Sequence, residues 1–211
     1  MTGRIVTTAQ QKGGAGKTTL AAQIVVAAAE AGLRSLAIDI DPQGSLSAWG
    51  DLRARTAPAI PVDVEAAAGH RVREIASRRA GDYDLVVIDA PPHAETETRQ
   101  ALRAADLAIA PVQPSPLDLW ASRPVIEAAE AAGADVALVL NRVPPRARIV
   151  EQTAAAAVEL GARLLEARLG ARVIFAEAMG AGLTPVDKAP KSPAAGEVRA
   201  LWREIKAILK V

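Results

Sequence analysis

A short glycine-rich segment near the start of the chain has the residue types and spacing of a phosphate-binding loop. Residues 11–19 read Gln-Lys-Gly-Gly-Ala-Gly-Lys-Thr-Thr, between an apolar, β-branched run at 5–8 and an alanine-rich helical pattern at 20–31. Glycines let successive backbone N–H groups turn toward one anion, and the helix that follows adds the positive end of its dipole. We therefore expect Lys17 to reach the β- and γ-phosphates of a nucleotide, and the Thr18 hydroxyl to hold Mg²⁺. The residues expected to bind the nucleotide in this segment are Gly13, Gly14, Ala15, Gly16, Lys17, Thr18 and Thr19.

The segment departs from the common pattern at its first position. The pattern G-x-x-x-x-G-K-[ST] begins with glycine, whereas this chain has Gln11 followed by Lys12. A lysine five residues before Lys17 marks the deviant Walker A motif, and on this motif the chain resembles the ParA/MinD family of P-loop ATPases. The resemblance implies a homodimer that sandwiches two ATP molecules, with Lys12 crossing to the partner's phosphates. There it would neutralise charge on the transferring phosphoryl group, as an arginine finger does; the alternative is a solvated loop lysine.

Two acidic motifs follow apolar strand patterns and fit the same resemblance. Asp-Ile-Asp-Pro-Gln at residues 39–43 is similar to the family's switch I segment, where Asp41 would position the attacking water and order the Mg²⁺ shell, with Asp39 in support. Residues 83–92 look like a Walker B strand followed by switch II, with Asp89 placed to bind Mg²⁺. An ordinary strand-end turn remains the alternative for the first motif. The expected catalytic residues are thus Lys12, Lys17 and Asp41, and the expected metal ligands are Thr18, Asp41 and Asp89.

Other positions are assigned mainly through the resemblance. Asn141 ends another strand pattern, where the family often reads the adenine edge, although Asn at a strand end is also common turn chemistry. The region around Pro185 is where the family's loop wraps the base. Pro-Ser-Pro-Leu-Asp at residues 114–118 strengthens the likeness to small, ParF-like ParA proteins, and in the family this region borders the dimer interface. His93 follows the switch II segment and could tune it, but we interpret both His70 and His93 as surface histidines without a chemical role.

Apolar strand patterns alternate with helical patterns along the chain, and these elements must position the residues above. Several strand candidates are continuous apolar runs, as strands covered on both faces should be. We therefore predict an α/β fold, a doubly wound and mostly parallel sheet with helices on both faces, in one domain spanning residues 1–211. Strands are predicted at 5–8, 35–40, 85–89, 107–111 and 136–141, with a weaker one at 172–175 and a short edge strand possible within 57–68. Helices are predicted at 18–31, 45–55, 71–79, 96–104, 117–132, 148–160 and 194–210.

Composition excludes several classes of protein. The 211 residues contain no cysteine, which rules out disulfides, thiolate metal sites and the iron–sulfur relatives of this loop type. No apolar run reaches about 18 residues without charge, and the first residues lack a signal-peptide pattern. We expect a cytoplasmic protein without integral membrane association. The length also leaves no room for the N-terminal DNA-reading extension of larger relatives, so site-specific operator binding is not expected.

The net charge of +1 is unevenly distributed. Residues 1–140 carry 13 Lys and Arg against 17 Asp and Glu, a charge of −4, while residues 141–211 carry 12 against 7, a charge of +5. A basic C-terminal third is a candidate footprint for a polyanion, although many solvated helices have a similar composition. The candidate DNA-contacting residues are Arg146, Arg148, Arg168, Arg172, Arg199, Arg203 and Lys206.

The resemblance implies an ATP-dependent dimer that binds nucleoid DNA without sequence preference. It would position or segregate a cargo such as a plasmid, a chromosome or a protein cluster, while a cargo-bound adaptor stimulates slow ATP hydrolysis. The competing interpretation is a MinD-like ATPase that binds a membrane surface through an amphipathic C-terminal helix. Apolar residues between 198 and 209 have that spacing, which equally fits a helix packed on the sheet. A third interpretation is a biosynthetic enzyme with the same loop, such as a relative of dethiobiotin synthetase.

Overall fold

A parallel β-sheet lies at the centre of the protein, in a computed structural model that describes residues 2–92, 95–145 and 149–211. The strands are β1 (Arg4–Thr8), β2 (Ser35–Asp39), β3 (Asp63–Ala66), β4 (Leu85–Asp89), β5 (Leu107–Val112), β6 (Asp135–Val143) and β7 (Arg163–Gly170). They lie in the order β3-β2-β4-β1-β5-β6-β7, and each neighbouring pair is parallel. Because neighbouring strands run in one direction, their carboxyl ends meet at one edge of the sheet.

Helices cover both faces of this sheet. The helices are α1 (Lys17–Glu30), α2 (Ser45–Thr56), α3 (Val72–Arg79), α4 (Glu95–Ala104), α5 (Pro116–Trp120), α6 (Arg123–Ala132), α7 (Ile149–Glu159), α8 (Val173–Met179), α9 (Pro185–Lys188) and α10 (Pro193–Leu209). One apolar cluster joins one face to α1, α2 and α10, and a second joins the opposite face to α3, α4 and α6. The predicted doubly wound α/β fold is therefore confirmed.

The central strand β4 shows why the strand patterns are continuous apolar runs. Val87 belongs to the cluster under α1, whereas its neighbours Val86 and Ile88 belong to the cluster on the other face. Successive side chains of a strand point to opposite faces, so a strand covered on both sides must be apolar at every position. All three of these side chains are fully buried.

The last strand is not where the sequence pattern placed it. The weak strand predicted at residues 172–175 is wrong, because the chain there enters α8 at Val173. The strand is instead β7, where Leu165 and Leu169 are buried while Glu166 and Arg168 are exposed. An edge strand with one solvated face alternates between apolar and polar residues, so a search for apolar runs does not find it.

The helix predicted at residues 117–132 is in fact two helices, α5 and α6. Pro124 lies in the first turn of α6, where a missing N–H is tolerated, but it could not lie inside a continuous helix. The stretch at 57–68 does contain a short strand, β3, at one edge of the sheet. The other predicted elements are present, with bounds that differ by at most two residues. Residue 148, the predicted start of α7, lies outside the described residues.

The apolar side of α10 faces the protein interior. Val198, Leu201 and Ile205 are buried in the cluster that includes α1 and the inner side of β7. The apolar spacing at the end of the chain therefore belongs to a packed helix, as one of the two interpretations expected. Nowhere in residues 2–92, 95–145 and 149–211 does a helix combine the length and apolar character needed to cross a bilayer.

Carboxylates of α10 also bind the backbone of the edge strand β7. Glu204 accepts hydrogen bonds from the backbone N–H groups of Glu166 and Ala167, at 2.9 and 2.6 Å. Nearer the start of the helix, Glu197 accepts from the N–H of Gly170 at 3.0 Å. These bonds satisfy backbone donors at the edge of the sheet, which would otherwise need water or another strand.

We expect Ile205→Ala to lower the free energy of unfolding by about 2–5 kcal/mol, because it removes buried methylenes and leaves a cavity under α10. Urea unfolding measures this change. The exposed neighbour Lys206 is the control, since Lys206→Ala should change stability by less than about 0.5 kcal/mol. Equal and small effects of both variants would contradict the packing of this helix.

Candidate nucleotide site

The ends of three neighbouring strands bring polar side chains together. The register pairs Thr8 of β1 with Asp89 of β4, and Asp89 with Asp39 of β2. All three residues are buried. Ligands of open α/β sheets bind outside the carboxyl ends of the strands, so these residues mark the expected position of a site.

The glycine-rich segment follows β1 and ends at the first turn of α1. Gly14 and Gly16 have positive φ angles of 72° and 98°, which favour glycine. A Cβ atom at Gly16 would also collide with the side-chain amide of Asn141. That amide, at the end of β6, donates to the Ala15 carbonyl at 2.9 Å and so fixes the loop. Gly13 and Gly14 are exposed, whereas Ala15 is buried, so the loop presents its backbone outward.

Lys17 begins α1 with a largely buried side chain, 7% exposed. Burial lowers the pKa of its ammonium group, while the nearby charges of Asp89 and Asp41 oppose that shift. A buried cation beside two carboxylates at the end of a phosphate loop is suited to meet further negative charge. The structure therefore brings together three of the predicted site residues around one point.

Asp89 is a buried carboxyl group with an incomplete set of partners. Burial and the charge of Asp39 raise its pKa to about 7, against the opposing effects of the Thr18 and Thr8 hydroxyls and of Lys17. Thr8 donates to Oδ1 at 3.2 Å, whereas Oδ2 has no hydrogen-bond partner among the described residues. The Thr18 hydroxyl is near the carboxyl group without reaching Oδ2 in hydrogen-bond geometry. An unpartnered buried oxygen is costly, and a bound cation would relieve that cost.

This donor set fits Mg²⁺. The ion prefers oxygen ligands and is commonly bound by one or two carboxylates together with substrate phosphates, rather than by a cage of protein groups. Across residues 2–92, 95–145 and 149–211, no group of three or more His, Cys, Asp and Glu side chains could hold a metal. Asp89 and Thr18 would hold the ion with the phosphates, whose charge it would help to neutralise.

Asp39 and Asp41 have different surroundings. Asp39 is buried, and its Oδ1 accepts from the backbone N–H of Asp41 at 3.0 Å. Its Oδ2 accepts from both the N–H and the hydroxyl of Ser47, each at 2.8 Å, which ties the start of α2 to the end of β2. Asp41 is only partly buried and accepts from the N–H of Gln43 at 2.9 Å. Asp39 therefore shapes the loop that carries Asp41, and its supporting role in hydrolysis stays a prediction.

Lys12 lies on the exposed rim of the loop and makes an ion pair that sequence reasoning did not predict. Its Nζ is 2.8 Å from Oδ1 of Asp118 in α5, with the two side chains 45% and 10% exposed. Asp118 Oδ2 in turn accepts from the Ser115 hydroxyl at 3.0 Å. Gln10, just before the loop, donates to the Ser122 hydroxyl at 3.1 Å. The segment from Ser115 to Ser122 thus contacts the start of the phosphate loop through two separate hydrogen bonds.

Asn141 already has partners for both of its polar atoms. Beyond the bond to the loop, its Oδ1 accepts from the N–H of Arg142 at 2.9 Å, and Arg142 has a positive φ of 53°. The amide nitrogen has a second hydrogen and the amide oxygen has a second lone pair, so Asn141 can hold the loop and still bind adenine. Its contact with adenine stays a prediction. Thr19 is partly exposed in the first turn of α1, and His70 is exposed as predicted. His93 lies outside the described residues.

We expect Asp89→Asn to stabilise the nucleotide-free protein above pH 7. The pKa of about 7 in the folded state exceeds the value of about 3.9 for an unfolded Asp, so between these values only the folded chain holds the proton. This group therefore lowers the free energy of unfolding as the pH rises from about 4 to 7. Asn does not ionise, so the variant does not lose this stability. Thermal unfolding at pH 5–8 measures the difference, and the small difference at pH 5 is the internal control. A difference that does not grow with pH would contradict the protonation of Asp89.

The family model, the sequence relatives and the solved structures point to the same group of nucleotide-binding proteins. Residues 6–186 match the CobQ/CobB/MinD/ParA nucleotide binding domain. The chain is 32% identical to the maintenance of carboxysome distribution protein A of Halothiobacillus neapolitanus, over 93% of this chain and 94% of that protein. It is 29% identical to the chromosome-partitioning ATPase Soj of Thermus thermophilus, over 97% and 96%. The septum site-determining protein MinD of Pyrococcus horikoshii, solved with Mg-ADP, has a TM-score of 0.83 at 23% identity, covering 98% and 97%.

The matched range contains the glycine-rich loop, both acidic strand ends and Asn141, so the likeness first noted at residues 11–19 extends through the sheet. This chain belongs to the ParA/MinD group of the CobQ/CobB/MinD/ParA nucleotide-binding family, and it is an ATPase that uses ATP with Mg²⁺.

Proposed function

We propose that this ATPase forms an ATP-sandwich dimer, binds DNA without sequence preference, and positions a cargo whose adaptor protein stimulates slow hydrolysis. The observation that carries the proposal is Lys12, an exposed lysine on the rim of the phosphate loop, next to a site already supplied with the buried Lys17. A second lysine at the rim is suited to phosphates bound by another subunit. The named relatives support a positioning role, since one distributes carboxysomes and another partitions chromosomes.

Lys12 would have to leave its present partner to act across an interface. Lys12 is 45% exposed in this ion pair, and the nearly buried Asp118 keeps a hydrogen bond from the Ser115 hydroxyl, so phosphate charge can compete for the lysine without leaving Asp118 unpartnered. Across the dimer its ammonium group would lie opposite the phosphoryl oxygens and stabilise the charge that develops there. Asp41, tied to Asp39 through the backbone, would position the attacking water.

A row of basic residues on α10 supports DNA binding. Arg203 and Lys206 are exposed, follow Arg199 at intervals of four and three residues, and therefore lie on one side of the helix. Lys210 continues the row at the helix end, and we refer to these four residues as the basic stripe. Dimerisation would double the number of such charges facing one duplex, and phosphate neutralisation with counterion release drives non-specific binding.

The other candidate DNA contacts differ in availability. Arg172 pairs with Glu197 at 2.7 Å and Arg199 pairs with Glu30 at 2.6 Å, so both are partly neutralised within the chain. Arg168 alternates with the β7 residues buried under α10, which places it on the opposite face of the sheet from that helix. Arg146 and Arg148 lie outside the described residues. Arg203, Lys206 and Lys210 are therefore the charges that support the DNA-binding part of the proposal.

The burial of Leu201, Trp202 and Ile205 favours DNA over a membrane surface as the binding partner. An amphipathic helix binds lipid through an exposed apolar face, whereas the exposed side of α10 is the basic stripe. Vesicle pelleting with ATP would detect the membrane alternative. A biosynthetic activity would instead require turnover to depend on a small-molecule substrate.

We expect ATP or a non-hydrolysable analogue, but not ADP, to produce dimers that bind random-sequence duplex DNA, with affinity falling steeply between about 50 and 200 mM salt. Size-exclusion mass and fluorescence anisotropy measure the two steps. Replacing both Arg203 and Lys206 with alanine should weaken binding and lower the salt slope by about one for each DNA phosphate that the variant no longer neutralises.

The control for this experiment is the double variant Arg73→Ala, Arg78→Ala, which removes the same charge from exposed positions of α3 on the other face of the sheet. It should bind DNA as the native protein does. ATP-dependent dimers that do not bind DNA would contradict the proposal, and lipid vesicles would then be the next binding partner to test. Equal losses of DNA affinity in both double variants would show that the basic stripe is not the DNA-binding surface.

We expect Lys12→Gln to leave ATP binding measurable while ATP hydrolysis falls by about 100-fold or more, because one preorganised charge at the transferring phosphate is lost. Nucleotide affinity and steady-state phosphate release separate the two effects. Gln11→Ala is the control, since it truncates an exposed neighbouring side chain in the same loop and should hydrolyse ATP at the native rate. Near-native turnover of the lysine variant would refute a role in trans.

A further inference from the structure

An arginine–aspartate pair is buried between α2 and the segment Ala181 to Asp187. The side chains of Arg53 and Asp187 are each 4% exposed. Their contact is bidentate, with Nη1 2.9 Å from Oδ2 and Nη2 3.1 Å from Oδ1. Two parallel charge-assisted hydrogen bonds fix the direction as well as the distance of the partners.

Other hydrogen bonds extend this contact along the whole segment. Arg53 also donates to the Gly182 carbonyl at 3.3 Å, and Trp49 Nε1 donates to the Leu183 carbonyl at 3.3 Å. The Thr56 hydroxyl donates to the Ala181 carbonyl at 2.9 Å. Each of these donors belongs to α2, so one helix holds several consecutive residues of the segment.

The segment is shaped to accept this contact. Gly182 has a positive φ of 71°, and a Cβ atom there would collide with the backbone of Arg53. Asp187 uses Oδ2 a second time, to accept from the N–H and hydroxyl of Thr184 at 2.9 and 3.0 Å. The same carboxylate therefore closes the turn and binds α2, so the turn cannot move independently of the helix.

The opposite end of α2 carries the loop of the nucleotide site. Ser47 is bound to Asp39 through two hydrogen bonds, and the Gly44 N–H donates to the Asp41 carbonyl at 2.9 Å. From Ser45 to Arg53 the helix rises by roughly 12 Å. A short helix fixed at both ends by buried carboxylates transmits a displacement of one end to the other.

We propose that Arg53 is a positioning residue, which fixes α2 against the segment 181–187 and thereby sets the place of Asp41. The inference rests on the role proposed for Asp41 in hydrolysis. The phosphate loop is held separately, by Asn141 and by α1, whereas the segment around Pro185 is expected to wrap the base. Loss of the Arg53–Asp187 pair should therefore lower turnover more than it weakens nucleotide binding.

The test is hydrogen–deuterium exchange of the nucleotide-free protein, together with ATPase kinetics, for Arg53→Lys and Asp187→Asn. We expect peptides covering residues 41–47 and 181–187 to exchange about tenfold faster in both variants. We also expect kcat to fall about tenfold while KM for ATP stays within about twofold. Lysine keeps the charge but not the bidentate fork, and Asn keeps the shape of Asp187, so each variant retains part of the interaction.

Arg79→Lys is the control, because it cuts a bidentate arginine contact with Glu65 that involves no residue of α2. It should leave exchange at 41–47 and kcat unchanged. Faster exchange confined to 181–187, an effect on KM alone, or an equal response of the control would each overturn the inference. Exchange is measured without nucleotide or DNA, so a failure of the proposed DNA function would leave this result interpretable. If Arg53→Lys does not fold, Asp187→Asn gives the same readings.

Discussion

The buried polar side chains at the ends of β1, β2 and β4 are the constraint on which the rest of the site depends. Parallel register brings Asp39 and Asp89 side by side, and two carboxylates in a dry place repel each other. The two carboxylates have different surroundings. Asp39 accepts hydrogen bonds from N–H and hydroxyl donors, whereas one oxygen of Asp89 has no donor among the described residues and the group lies near Lys17. A cation bound with phosphates would supply the partner that this oxygen of Asp89 lacks among the described residues.

The sheet also divides the molecule into two faces with different surroundings. The cluster under α1 and α10 leaves the basic stripe outside, and the cluster under α3, α4 and α6 supports the helices next to the phosphate loop. Between them the loop 39–44 and α5 reach the edge where the strands end. At this edge α2 is bound to Asp39 through Ser47, and α5 is bound to the phosphate loop through the Asp118–Lys12 pair.

Local patterns predicted most of the fold and the centre of the site. Residues 11–19, Asp41 and Asp89 follow from motifs, since glycines, a lysine and strand-end carboxylates have meaning at fixed spacing. The edge strand β7 was not predicted, because the polar residues of its solvated face interrupt the apolar run. The ion pairs Lys12–Asp118 and Arg53–Asp187 were not predicted either, because their partners are more than 100 residues apart in the sequence. Which carboxylate meets which cation over such separations depends on packing, which no local pattern encodes.

The carboxylates of α10 on β7 have a consequence for self-association. A sheet ordinarily grows when a strand from another molecule bonds to the free N–H and carbonyl groups at its edge. Here Glu204 and Glu197 occupy donors of Glu166, Ala167 and Gly170, so an incoming strand would first have to displace charged side chains. Such protection disfavours fibre-like stacking at this end of the sheet, so copies of the chain can lie close together without their sheets joining into one.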